Sequence, residues 1–81
     1  DPALRVAALE LIPRPTAKAM YPVIVPAVGD STTAVALAAA EALCADAKDD
    51  PAAVKSALGP TGAAQVKALA KQRPELARCT R

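Results

Sequence analysis

The chain has 81 residues, enough for one small domain, and 22 of them are alanine, whereas phenylalanine and tryptophan are absent. Alanine contributes helix propensity and close backbone approach rather than buried volume, so this composition predicts thin helices packed closely together. The formal net charge of +2 is too small for a nucleic-acid-binding surface, and no apolar run reaches the roughly 18 residues that a membrane span needs.

The first predicted helix covers residues 1–12. Asp1 is expected to be its N-cap, because a proline follows at the first helical position. The apolar residues at helical spacing predict one buried stripe, made of Leu4, Ala8, Leu9 and Ile12. The prolines at positions 13 and 15 end this helix and predict a short extended link.

The second predicted helix covers residues 16–28, with Thr16 as its cap. Pro26 removes one helical hydrogen bond, so the segment is expected to be either a bent helix or two short turns. Gly29 is predicted to close it in the left-handed conformation.

The third predicted helix is the longest and starts in an Asp-Ser-Thr-Thr cluster at residues 30–33. Short polar side chains of this kind cap a helix by accepting from the free N–H groups of its first turn. The helix is expected to run from Ser31 or Thr32 to Ala47. Its predicted buried face consists of Val35, Ala39, Ala40 and Leu43.

The C-terminal third is predicted to contain two further helices and a last turn. The acidic residues before it are expected to cap the next helix; they are Asp46, Asp49 and Asp50. That helix is predicted over residues 51–58 and ends at Gly59-Pro60. A fifth helix is expected from Thr61 or Gly62 to about Gln72, and a last turn or short helix from Pro74 to Arg78.

Three of these helices repeat at a constant spacing of 31 residues. Leu4, Val35 and Val66 are equivalent in this register, and so are Glu10, Glu41 and Gln72. A fixed period of about 20–50 residues is typical of a stacked helical solenoid.

The repeated residues resemble those of a known family. The segment 1–9, Asp-Pro-Ala-Leu-Arg-Val-Ala-Ala-Leu, is similar to the second helix of a HEAT repeat of the short bacterial type. Val35 and the segment 39–43 repeat its aliphatic, small-pair and leucine positions, and the stretch 23–30 resembles the first helix and turn of a repeat. The characteristic arginine of the family is kept only at Arg5.

This resemblance implies an all-α fold: a right-handed stack of antiparallel helix hairpins, or HEAT-like α-solenoid fragment, of about five helices plus a C-terminal turn. It implies one domain over residues 1–81. Within it, we expect a half repeat at 1–12, a full repeat at 16–47 and a degenerate capping repeat at 51–81. The chain starts at Asp1 rather than at methionine, so we interpret it as a processed chain or an excised fragment.

Two cysteines, Cys44 and Cys79, allow one intramolecular bridge. In a secreted chain this small an even count favours a disulfide, whereas in the cytosol the pair would consist of two free thiols. We predict the disulfide, and with it a periplasmic or secreted location; free thiols would instead indicate the cytoplasm.

Catalysis and metal binding are not expected. The chain has no histidine, which removes the commonest general base and metal ligand, and we predict no cofactor. Tyr21, the one aromatic residue, has two interpretations. It either packs a helix start against its neighbour, which we favour, or contacts an apolar ligand or haem.

The predicted function is a non-catalytic protein-interaction or scaffold module, from the C-terminal part of a larger bacterial HEAT-repeat protein. Its partner is expected to be another protein or the preceding repeats of its own chain. The equivalent helices predict a partner-binding strip made of Val6, Glu10, Leu37, Glu41, Ala68 and Gln72. Two alternatives remain open: a small secreted carrier of an apolar ligand such as a lipid or haem, and a regulatory domain attached to an enzyme.

Overall fold

Helices make up the fold, as the composition predicts. In a computed structural model, residues 1–12, 18–48 and 50–80 are described. The α-helices are α1 (Pro2–Glu10), α2 (Tyr21–Val28), α3 (Thr33–Asp46) and α4 (Pro51–Leu69). Short 3-10 helices span Lys18–Met20 and Pro74–Thr80. These residues contain no strand, so the all-α prediction is confirmed. The predicted link at 13–15, the cap Thr16 and the cap Asp49 lie outside the described residues.

Helix α3 lies at the centre of the fold and packs against α1, α2, α4 and the C-terminal 3-10 helix. All four residues predicted for its inner face are buried: Val35, Ala39, Ala40 and Leu43. Ala36 and Ala42 are buried as well, so α3 carries small side chains on most of its circumference. Small side chains at these positions allow neighbouring helices to approach the α3 backbone closely.

Helix α1 begins as predicted, but its buried stripe differs in part. The Asp1 carboxylate accepts a hydrogen bond from the Ala3 N–H at 3.0 Å, as an N-cap does. Leu9 is buried and Ile12 is partly buried, whereas Leu4 is 69% exposed and Ala8 is also exposed. The prediction was wrong for these two residues because α1 packs mainly against α3, and α3 covers the side that carries Leu9.

The connection from α2 to α3 is built differently from the prediction. Gly29 has φ −94° and ψ 12°, so the predicted left-handed conformation is wrong. The helix end is closed by right-handed turns instead, with the Gly29 N–H donating to the Pro26 carbonyl oxygen at 3.1 Å. Thr32 is the N-cap of α3 without a side-chain cap bond. The Asp30 carboxylate accepts from the Thr32 N–H at 2.8 Å, so the polar cluster orders the turn before the helix.

Helix α4 contains a sharp kink at its glycine-proline pair. Gly59 has φ 66° and ψ −176°, a combination that is open almost only to glycine. The predicted helices at 51–58 and from 61 or 62 to 72 are therefore two segments of α4 on either side of this kink. Asp50 caps α4 as predicted, accepting from the Ala53 N–H at 3.1 Å.

The C-terminal 3-10 helix belongs to the core. It packs against α3 and α4, and it buries Leu76 and Cys79. The sequence predicted a last turn or short helix from Pro74 to Arg78, and the structure has a 3-10 helix over Pro74–Thr80. The disulfide joins this helix to α3 at Cys44, near the C-terminal end of α3.

Candidate functional site

A disulfide joins the end of α3 to the C-terminal 3-10 helix. Cys44 and Cys79 are bonded, with their Cα atoms 5.2 Å apart, which lies in the usual range for a disulfide. The predicted cysteine pair is thus confirmed in the structure. Its consequence for cellular location stays a prediction.

A groove of about 380 Å³ opens to solvent beside this disulfide. It is lined by Glu41, Cys44, Ala45, Ala47, Lys48, Glu75 and Leu76. Its floor is therefore apolar, and its charged residues are of both signs. Glu41 forms an ion pair with Arg73, whereas neither Lys48 nor Glu75 is ion-paired with any described residue. We call this site the disulfide groove.

A second open groove, of about 340 Å³, lies between α2 and α4. It is lined by Lys18, Tyr21, Pro22, Val25, Pro26 and Ala57. The Lys18 ammonium group lies 3.1 Å from a carboxylate oxygen of Asp50. The pKa of Asp50 is lowered, first by the hydrogen bond from the Ala53 N–H and then by the one from Lys18. Asp50, the N-cap of α4, is thus also ion-paired with the 3-10 helix that precedes α2.

A polar pair is buried where α2 meets α3. The Tyr21 hydroxyl donates to the Asp46 carboxylate at 3.0 Å, and both side chains are buried. Burial is the main cause that raises the pKa of Tyr21, and the hydrogen bond to Asp46 adds to it. Asp46 was predicted as a helix cap, which is wrong. The pairing itself has no signal in the sequence, because it links residues 25 positions apart on different helices.

The residues of the predicted partner-binding strip differ in their surroundings. Val6 and Leu37 are partly buried against the core. Glu41 is partly buried and ion-paired with Arg73. The remaining members are exposed: Glu10, Ala68 and Gln72. Glu10 is the last residue of α1, Ala68 is near the end of α4, and Gln72 lies in the turn after α4.

The outward face of α1 is apolar, a feature that the predicted stripe did not include. Leu4 and Leu11 are 69% and 81% exposed. At about 100° per residue, both lie on the side of the helix opposite to Leu9, which faces the core. We call Leu4, Ala7, Ala8 and Leu11 the outer face of α1; all four are exposed.

Other kinds of site find no support in the described residues. Residues 1–12, 18–48 and 50–80 contain no group of three acidic, cysteine or histidine side chains able to hold a metal ion. In the same part of the chain no helix combines the length and the apolar character needed to cross a bilayer. Comparisons with models of known protein families, with curated proteins and with solved structures found no match to this chain.

Proposed function

We propose that this chain is a non-catalytic protein-interaction module of the HEAT-like type. Its partner is an apolar helical surface, either in another protein or in preceding repeats of its own parent chain. The observation that carries this proposal is the outer face of α1, where two large leucine side chains point away from the core that the same helix helps to form.

The apolar character of α1 on both sides is the physical reason. A surface helix of a globular protein usually has one apolar stripe and a charged opposite face, whereas a helix that is apolar all round is usually buried. Leu9 accounts for the inner side of α1. Leu4 and Leu11 on the other side gain free energy only when a partner removes them from water.

Charge on α1 adds a second feature to the expected partner. Arg5 is already engaged, since its guanidinium lies 3.1 Å from a carboxylate oxygen of Asp30. Glu10 is exposed and forms no ion pair with any described residue. We therefore expect the partner to present an apolar helix stripe with a basic residue at its edge, opposite Glu10.

The predicted strip remains part of this proposal as a second contact surface. Its exposed members Glu10, Ala68 and Gln72 are available to a partner. Glu10 also belongs to α1, the helix that carries the outer face. We further propose that the module forms the C-terminal part of a bacterial HEAT-repeat protein located outside the cytoplasm. The cysteine pair supports that location, because disulfides persist in oxidising compartments.

Site-specific photo-crosslinking tests the proposal. A photoreactive amino acid is introduced at position 4 or 11 of the natural gene in its native host, and the matched control carries it at Lys55, an exposed position on α4. We expect at 4 and 11 either a defined adduct with another protein that excess unlabelled chain competes away, or an internal crosslink to preceding repeats of the same chain. Adducts that are equally abundant at Lys55, or adducts with other proteins that resist competition, would contradict the proposal.

The same preparation tests the alternative function of an apolar-ligand carrier. Both grooves are open to solvent but lie within the size range of small-ligand sites. Stoichiometric lipid or haem extracted from the purified chain, without a protein adduct at position 4 or 11, would favour the carrier. Absence of such a ligand together with the competed adduct supports the interaction module.

A further inference from the structure

The two cysteine residues of the disulfide differ in their exposure to solvent. Cys79 is only 5% exposed and lines neither groove. Cys44 is partly exposed and lines the disulfide groove. A molecule that enters this groove therefore meets Cys44 and not Cys79.

We infer that the disulfide groove is a thiol–disulfide exchange site, at which a low-molecular-weight thiol attacks the sulfur of Cys44. The attacking thiol first loses its proton to solvent, because the thiolate is the nucleophile. A new sulfur–sulfur bond then forms to Cys44 while the Cys44–Cys79 bond breaks. Cys79 leaves with the electron pair as a thiolate and takes a proton from solvent.

The second half of the exchange completes the redox balance. A second thiolate attacks the added sulfur of the mixed disulfide and releases Cys44 as a thiolate. The small thiol is oxidised to its disulfide, and the protein disulfide is reduced to two thiols. The co-reactant is thus two equivalents of a small thiol such as glutathione.

The groove suits a ligand of this class in size, and it contains one lysine that can interact with a thiolate. Its volume of about 380 Å³ lies within the range of small-ligand sites. Lys48 and Glu75 both line it, and neither has an ion-pair partner among the described residues. A cation in the groove stabilises an approaching thiolate and the negative charge that develops during exchange.

Exchange at Cys44 would also separate two parts of the fold. The adduct stays on α3 and occupies the groove, while Cys79 is released with the C-terminal 3-10 helix. The remaining attachments of that helix to the rest of the protein include the buried Leu76 and the ion pair of the adjacent Arg73 with Glu41. This inference is independent of the proposed protein partner.

Trapping the mixed disulfide in the unmodified chain tests the inference directly. The oxidised protein is exposed briefly to reduced glutathione, quenched with acid, alkylated and mapped by peptide mass spectrometry. Cleavage after Lys48 and Arg78 separates the two cysteines. We expect glutathione on Cys44 and the alkyl group on Cys79; the reverse assignment, or an equal mixture, would overturn the inference.

Single-cysteine variants supply a second measurement that does not require the mixed disulfide to accumulate. Cys79→Ser and Cys44→Ser each react with oxidised glutathione, and we expect the Cys44 thiol to react about tenfold faster or more. Equal rates, or a faster Cys79 in a variant that circular dichroism shows to be folded, would contradict the proposed site.

A steric variant distinguishes entry of the thiol through the groove from the general reactivity of the disulfide. Ala45→Leu narrows the groove next to Cys44, and Ala34→Leu makes the same change at an exposed position on the same helix, outside the groove. We expect reduction of the disulfide by glutathione to slow about threefold or more in Ala45→Leu and to stay unchanged in Ala34→Leu. Equal rates in the two variants would rule out entry through the groove.

Discussion

The hydroxyl group of Tyr21 donates a hydrogen bond to the carboxylate of Asp46 across 3.0 Å in the interior of the domain. This contact joins the first residue of α2 to the last residue of α3. A buried carboxylate is costly unless it is hydrogen-bonded, so the pair fixes how these two helices meet.

Replacing Tyr21 with phenylalanine tests the contribution of this hydrogen bond to stability. Tyr21→Phe keeps the ring but removes the donor to a buried carboxylate, so we expect the free energy of unfolding to fall by about 1–3 kcal/mol. Denaturant titration followed by circular dichroism measures the change. Lys18→Ala is the control, because it removes only the exposed ion pair to Asp50 and should cost under about 1 kcal/mol. Equal losses in both variants would contradict the assigned role.

The same tyrosine predicts how stability depends on alkaline pH. Burial, and then the hydrogen bond to Asp46, raise the pKa of Tyr21 above its ordinary value of 10.0 in the folded state. The folded protein therefore keeps the phenol proton at a pH where the unfolded chain has lost it. The stabilisation from this group is complete below the unfolded pKa and is lost as pH rises through the folded pKa.

Absorbance of tyrosinate measures this pKa directly, because Tyr21 is the only tyrosine in the chain. We expect the titration midpoint of the folded protein to lie above that of the chain in denaturant. In parallel, the free energy of unfolding should decline more steeply above about pH 10 in the natural chain than in Tyr21→Phe. Coincident midpoints in the folded and unfolded chains would contradict the burial of the Tyr21 phenol and its hydrogen bond to Asp46.

Replacing Gly59 and Gly29 with alanine is expected to change stability by different amounts. Gly59→Ala places a side chain at φ 66°, so we expect a loss of about 1–3 kcal/mol although the space around it is open. Gly29→Ala is the matched control, because its φ of −94° suits any residue. The atoms nearest to its new Cβ would be those at the far end of the flexible Gln65 side chain. We expect a change within about 0.5 kcal/mol; similar losses at both glycines in denaturant titrations would contradict the strained kink.

The disulfide predicts a stability that depends on reductant. Cys44 and Cys79 are 35 residues apart, and closing a loop of this size is expected to add about 3–4 kcal/mol by restricting the unfolded chain. Denaturant titrations with and without reductant measure the difference. The Cys44→Ser, Cys79→Ser double variant is the control, and its midpoint should not respond to reductant. An unchanged midpoint in the natural chain would show that the disulfide does not contribute to its stability.

The features that the sequence predicts correctly are those set by neighbouring residues. Asp1 and Asp50 are caps because each is a short carboxylate followed by a proline, a pattern complete within two residues. The inner face of α3 follows from apolar spacing alone, from Val35 to Leu43. The cysteine pairing follows from there being only two cysteines in the chain.

The features that the sequence does not predict depend on which helices surround a residue. Leu4 fits an apolar stripe as well as Leu9 does, and only the one-sided packing of α1 against α3 separates them. Gly29 follows a helix in the usual place for a left-handed cap, yet the next turn closes the helix without one. The sequence pattern of Asp46 is that of a helix cap, whereas in the fold its carboxylate accepts a hydrogen bond from Tyr21.

The alanine-rich interior of α3 limits how the sequence can change over evolution. Ala39 and Ala40 have no exposed surface, so a larger side chain at either position must push two helices apart, at a cost of about 1–3 kcal/mol. The only smaller residue is glycine, which costs about 1 kcal/mol in a helix. A leucine or valine core can exchange one aliphatic residue for another of similar volume. Ala39 and Ala40 lack such substitutes, so we expect these two positions to change less than the larger aliphatic positions of the same core, such as Leu43.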